Sequence, residues 1–225
     1  YVVADSRLRN RQACGRENLL CLETQEGADG ALKADGSTYS DDETVAIYRA
    51  RLSSADARAT GVTVRFQSSI LRFLPSAEQD LRDLYAFTDK HRDLWVGVNM
   101  VGREDDDKGH PLRFLKVLRE LRLKYPDINL SIHAGEVDEP NHHIRDTLLL
   151  GAQRIGHGVN LITDPETMVR MQHGPYMVEI NLISNLLLEY VKDYSEHPFP
   201  EYLRTGIPVA LSTDDRGMWD SNMTD

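Results

Sequence analysis

From residue 62 onward the sequence alternates strand-like and helix-like segments at intervals of roughly 20 to 40 residues, and few folds are open to a chain written that way. The strand-like pieces are "VTVRFQ", "LWVGVNMVG", "INLSIHAGE", "RIGHGVNL", "YMVEINLISN" and "PVALSTDD". Between them, "AEQDLRDLYAFTDKH", "PLRFLKVLRELRLKY", "HHIRDTLLLGA", "PETMVRMQHG" and "EYLRTG" read as helices. Repeated βα units predict a parallel sheet, since parallel neighbours need a crossover long enough to hold a helix.

The faces of the strands narrow the class. In "VTVRFQ", Val62, Val64 and Phe66 share one face, and Thr63, Arg65 and Gln67 the other. Ile128, Leu130 and Ile132 oppose Asn129, Ser131 and His133, while Val178 and Ile180 oppose Glu179 and Asn181. An open sheet covered by helices on both faces reads as nearly continuous apolar runs. Here one face is apolar and the other polar toward the C-terminal end of each strand. That predicts an α/β fold of the TIM (β/α)8 barrel type, with a site at the carboxyl rim. About six βα units are legible, so the barrel is expected to be incomplete, with its first strands and last helix missing. Residues 62–225 are expected to form the barrel portion that carries the rim. Residues 1–61 are expected to be a loop and helical segment preceding the barrel or inserted in it. Within them a polar stretch, "ETQEGADGALKADGSTYS", reads as loop or hairpin around a short "NLLCL" strand. Ser40 and Glu43 form a capping box that opens the helix in "DDETVAIYRARLSSADA".

Charge and composition remove some functions. With 26 basic against 36 acidic residues and a net charge of -10, the chain is expected to repel a phosphate backbone, so no nucleic-acid partner is expected. No apolar run approaches the roughly 18 residues of a membrane span, and no membrane partner is expected. Cys14 and Cys21 form neither a disulfide framework nor a CxxC metal pair. Compartment and oligomeric state stay open, with the cytoplasm slightly favoured.

Three strand ends carry chemistry. "LSIHAGEVDE" sets His133 and Glu136 three positions apart, separated by Ala134 and Gly135, which are small enough for a ligand to approach the backbone. A neutral imidazole beside a carboxylate is what a metal centre with an acid/base partner requires. "RIGHGVNL" puts His157 at a second rim position between Gly156 and Gly158, expected to leave the ring approachable from both sides. "LSTDDRGM" ends the last strand with Asp214 and Asp215, one carboxylate facing inward and its neighbour toward the rim. A single strand-end histidine is more often structural, and adjacent aspartates are common turn residues. Three such positions, each at a strand end, point to one site.

"HAGE", "RIGHG" and "STDD", in this order and each closing a strand, resemble the adenosine deaminase family. The similarity runs from about residue 62 to the end, and "VGVNMVGRED", "VEINLISN" and "EHPF" resemble neighbouring family segments. The resemblance implies a zinc-dependent hydrolase on a TIM barrel, in which water replaces the exocyclic amine of adenosine or a related purine nucleoside. It implies one Zn2+ per chain, ligated by His133 and Asp214. It makes Glu136 the proton donor to the purine ring nitrogen next to the attacked carbon. His157 would orient the attacking water and help deprotonate it, and Asp215 would accept a hydrogen bond from the attacking group or hold the purine. The backbone at Gly102 and Gly135 would lie against the base.

Two departures from the family pattern matter. The family's other two zinc ligands lie on an H-x-H motif, and none of the eight histidines here stands in one, so these ligands are expected outside the 225 residues. Asn181 and Leu182 stand where many relatives carry cysteine and proline, which leaves nucleoside specificity open. Of the remaining histidines, His142 and His143 read as surface or capping residues, His197 as a turn or supporting residue, and His91 and His110 as structural. Arg103 is the one basic candidate for a phosphate, but it sits in an acidic run, Glu104 to Asp107, that reads as a solvated loop. The alternatives are a deaminase of free adenine, AMP or a modified adenine, or a metal-free binding protein on the same barrel. Zinc deaminases of the cytidine type need H-x-E and P-C-x-x-C, and neither occurs.

Overall fold

The computed structural model of the protein describes residues 2–137 and 141–224. The end of "LSIHAGEVDE", and Pro140 before the expected helix entry, lie outside the described residues. The strands are β1 (Cys21–Gln25), β2 (Thr63–Leu71), β3 (Trp95–Val101), β4 (Asn129–Ala134), β5 (Arg154–His157), β6 (Met177–Ile180) and β7 (Val209–Leu211). They form one sheet in the order β1 to β7, and every neighbouring pair is parallel. The six expected strands are present, and β1 makes a seventh. It starts at Cys21, inside the expected "NLLCL", and runs on through Glu23 and Gln25, pairing Cys21 with Thr63 and Gln25 with Gln67. Its mixed polarity hid it, because an edge strand with one neighbour needs no continuous apolar face. The result is a curled, incomplete barrel in which, among the described residues, β1 and β7 are not paired with each other.

Within residues 1–61, Val2–Arg16 is a helix that the sequence did not mark out. Its inward stripe of Ala4, Leu8 and Arg11 is interrupted by a buried arginine, which donates from Nη1 to Leu52 O at 2.8 Å, so no apolar period shows. A four-residue helix, Arg216–Trp219, follows β7. "YMVEINLISN" divides in two: β6 ends at Ile180, and Leu182–Leu187 is helical. The capping box at Ser40 and Glu43 forms as expected and opens the helix Asp41–Leu52. Among the described residues no helix is long and apolar enough to cross a membrane.

The apolar strand faces point outward under the helices. Leu130, Ile132, Ile155, Val178 and Ile180 are buried against a cluster that includes Leu81, Tyr85 and Leu118 from the helices Ala77–Lys90 and Leu115–Lys124. At the β1–β3 end, Phe66 and Trp95 pack with ring centroids 5.0 Å apart, and Tyr48 stands 5.5 Å from Phe66. The interior is polar instead. Asn99 Nδ2 donates to Gln67 Oε1 at 2.8 Å, Gln67 pairs with Glu23, and Arg154 bridges Glu23 and Glu179. These linked polar groups stand below the rim and leave the space above them to the site.

Candidate active site

His133 is the fifth residue of β4, and His157 ends β5. The strand register sets His133 beside Gly156 and Ala134 beside His157, so the rings meet with centroids 4.7 Å apart at 67°. Glu136 follows β4 by two residues and turns back over both, with Oε2 3.8 Å from His133 Nδ1 and Oε1 3.3 Å from His157 Nδ1. Asp214 lies three residues past β7, its Oδ2 4.0 Å from His157 Nε2. Four strand-end residues from three strands thus meet in one cavity of about 720 Å³, which Gly102 and Asp215 also line. Asp215 is exposed at the entry to the helix Arg216–Trp219. Gly135 is not among the lining residues. Its φ of +74° and the Ile144 Cδ1 atom, 2.6 Å from where a Cβ would stand, account for a glycine there.

The glycines flanking His157 do other work than opening its ring, which is 1% exposed. A Cβ on Gly156 would lie 2.5 Å from His133 Cδ2, so that glycine makes room for the neighbouring strand's histidine. Gly158 takes a left-handed φ of +59° where the chain turns into the 3-10 segment Val159–Thr163. His157 and Asp214 themselves have φ of +67° and +51°. Left-handed backbone costs a non-glycine residue about 1–2 kcal/mol, a strain the surrounding sheet and hydrogen bonds must hold in place.

Burial raises the Glu136 carboxyl above the ordinary carboxylate range; His133 opposes that shift, and the charges of Asp214 and Glu104 add to it. A carboxyl raised in this way holds its proton more firmly than an exposed one, as a group that serves as an acid must. Burial, followed by the nearby His133 and His197, pushes His157 well below the usual imidazole value, so it is neutral. Burial and then Asp214 raise Asp215.

The family model described as "Adenosine deaminase" matches residues 38–225. The chain belongs to the adenosine deaminase family. The match starts before residue 62 and takes in the capped helix. Adenosine deaminase 2 of Dictyostelium discoideum is 36% identical over 143 residues, covering 60% of this chain and 25% of that protein. An adenosine deaminase of Lutzomyia longipalpis is 30% identical over 198 residues, covering 83% and 37%. The chain therefore spans about a quarter to two fifths of the length of these curated relatives. Among solved structures, adenine deaminase from Arthrobacter aurescens superimposes with a TM-score of 0.75 at 19% identity, covering 94% of this chain and 62% of that one. An amidohydrolase from Burkholderia ambifaria, with bound Zn, gives 0.75 at 22% identity, covering 96% and 58%. At such identities these likenesses show the fold alone, that of a TIM barrel.

In this adenosine deaminase family member the donor set suits a zinc ion. Ligand atoms of His133, Glu136 and His157 all lie within 4.8 Å of one another, and Asp214 approaches the same group. Imidazole nitrogen with carboxylate oxygen is a set that zinc accepts, provided the imidazoles are neutral.

Several supporting residues escaped sequence reasoning. Glu104, read as part of a solvated acidic run, is 3% exposed. It accepts the Glu136 backbone N–H at 2.7 Å and lies 2.9 Å from His143 Nδ1. His143 is therefore a half-buried partner of the site loop and not the surface or capping residue expected; His142 is the exposed one. Arg72, fully buried, donates from Nη1 to His133 O at 2.8 Å, and the same nitrogen is 4.0 Å from Glu104 Oε2. Asn181 and Asn185 point their amide nitrogens at His157 Nδ1 from 3.1 and 3.0 Å. Nothing in one sequence separates Glu104 from the three aspartates after it, or Asn185 from an ordinary helix residue. His197 is the supporting residue expected, buried with Nε2 3.2 Å from Asn185 Oδ1. His91 packs beside Phe87 and Trp95, and His110 caps the turn at Leu112.

Proposed function

We propose that the protein to which this chain belongs deaminates adenosine or a closely related purine nucleoside hydrolytically, giving the inosine-type product and ammonia. The observation that carries this reading is the meeting of His133, Glu136, His157 and Asp214 at three strand ends, with the Glu136 carboxyl held above its usual range. In the proposal His133 and Asp214 would hold one zinc together with two further histidines not among the 225 residues, and the ion would supply Lewis acidity toward a water near neutral pH. Glu136 donates its proton to the ring nitrogen beside the attacked carbon, so the ring gives up its aromaticity as water adds there. His157 orients the attacking water and stabilises the charge that develops. Asp215, at the cavity mouth, accepts a hydrogen bond from the attacking group or from the purine, and the Gly102 backbone lies along the base. The proton that the water gives up passes to the exocyclic nitrogen, the C–N bond breaks and ammonia leaves, and the adduct's remaining O–H proton returns to Glu136 as the carbonyl forms.

Electrostatics favours an uncharged nucleoside over a nucleotide. The two cations that line the cavity, Arg7 and Arg216, are paired with Glu26 and Glu17. Arg103 is exposed, does not line the cavity, and pairs with Asp105 at 2.6 Å. A phosphate would have to displace these carboxylates beside a wall carrying Glu23, Glu179, Asp214 and Asp215.

The test is ammonia release by the full-length protein from adenosine, adenine and AMP, with Glu136→Gln as the control and zinc measured in parallel. Adenosine is expected to be turned over fastest. The variant should keep its zinc and lose about a hundred- to ten-thousandfold in rate. A variant within about threefold of the parent would remove Glu136 from the chemistry.

A further inference from the structure

We propose that Asn185 and His197 are positioning residues that lock His157 in the tautomer with its proton on Nε2, so that this nitrogen faces the reacting centre as a hydrogen-bond donor. The argument starts from a donor that cannot be reversed. The backbone N–H of Phe199 donates to His197 Nδ1 at 3.1 Å, so that ring nitrogen is an acceptor. The proton of neutral His197 therefore sits on Nε2, which is 3.2 Å from Asn185 Oδ1 and donates to it. This contact fixes which way the Asn185 amide points. Its nitrogen then stands 3.0 Å from His157 Nδ1, and an amide nitrogen can only donate. His157 Nδ1 is thus the acceptor, and the ring's single proton is on Nε2, the nitrogen directed at Asp214.

Four features close off the other tautomer. His157, Asn185 and His197 are 1%, 0% and 3% exposed, so water does not compete for these bonds. Asn181 also presents its amide nitrogen to Nδ1 at 3.1 Å, but its Oδ1 has no partner among the described residues, so it follows the polarity that Asn185 sets. Glu136 Oε1 is farther from Nδ1, at 3.3 Å, than either amide nitrogen. Burial keeps His197 neutral, holding it down at about 4, which preserves its Nδ1 as an acceptor.

The inference deepens the deaminase reading and rests on it only for what the donor does. A neutral ring with hydrogen on Nε2 cannot take a proton there. It holds the attacking oxygen by donating to it, and it stabilises negative charge as that charge forms.

The experiment uses the zinc-loaded full-length protein with 15N-labelled histidine and long-range 1H–15N correlation, which tells the two tautomers apart. The His157 signals are assigned by their loss in His157→Gln. The parent is expected to show His157 protonated on Nε2. Asn185→Asp keeps the side-chain shape but puts an acceptor where the donor was, and it should move a proton onto Nδ1. kcat should fall at least about a hundredfold while KM stays within about threefold. His197→Leu removes the anchor and should give the same spectral change, which His197→Gln should reverse because its amide N–H can donate to Asn185 Oδ1. A parent protonated on Nδ1 would overturn the proposal. So would an unchanged tautomer in the Asp and Leu variants, even if both lose activity, since that pattern belongs to residues that only support the fold. The spectrum needs no turnover, so failure of the deaminase reading is seen separately, in an active Glu136→Gln variant.

Discussion

Glu104 Oε1 accepts the backbone N–H of Glu136 at 2.7 Å, so the loop that carries the candidate acid is tied to a carboxylate from the end of a different strand. The same carboxylate faces the fully buried Arg72, whose Nη1 also holds the carbonyl of His133. One buried pair therefore fixes both ends of the turn His133–Glu136. Glu104→Ala would leave the Arg72 charge without its countercharge, in a place where its Nε and Nη2 have no partner among the described residues. Breaking a buried pair on one side typically costs about 3–5 kcal/mol. We expect urea unfolding of the full-length variant to show a loss of that size, with a smaller one for Glu104→Gln, which keeps an oxygen for the Glu136 N–H. A Glu104→Ala protein within about 1 kcal/mol of the parent would mean that the pair contributes nothing net.

Gly156→Ala tests the packing of His133. The added Cβ would fall 2.5 Å from His133 Cδ2, and the ring is part of the metal-capable group, so the ring must move. The expected result is about 1–3 kcal/mol lost in stability from overpacking. Zinc affinity should fall by about tenfold or more in competition with a chelator, because ligand orientation sets affinity. Unchanged affinity would show that His133 can shift without cost and argue against it as a ligand.

Asp214→Ala should remove most of the zinc from the full-length protein, because a centre of three or four ligands rarely tolerates the loss of one. Elemental analysis of parent and variant decides it, and equal metal in the two would assign Asp214 some other role.

His197 makes stability depend on pH. Burial lowers it from 6.5 to about 4 in the folded chain, so below pH 6.5 the unfolded chain binds a proton that the folded one refuses. The stability present above pH 6.5 is therefore lost as pH falls toward 4, by up to about 3 kcal/mol from this group. The difference in urea midpoint between parent and His197→Gln should narrow over that window on acidification. A difference independent of pH would mean that His197 titrates normally.

The sequence alone carried the barrel and the residues that meet at its rim. A period of two with one polar face, repeated between helical segments, marks the barrel strands, and "HAGE", "RIGHG" and "STDD" each close one, so His133, Glu136, His157 and Asp214 could be named before any coordinates. What it could not carry were features whose meaning lies in a partner far along the chain. β1 is a strand because Cys21–Gln25 lies beside Thr63–Gln67, and its own five residues show no apolar period. Val2–Arg16 is a helix whose inward stripe includes an arginine that donates to the Leu52 carbonyl, 41 residues away. Glu104 sits in a run of four acids, and only folding decides that it, and not Asp105, turns inward to meet Arg72, Glu136 and His143. Asn185 and His197 gain their part from His157, 28 residues before Asn185, because the proton on one ring is set by a chain of donors that exists only once three segments are packed together. Periodicity is a local property and survives in the sequence. The polarity of a hydrogen bond between distant side chains is not local, and tertiary packing decides it.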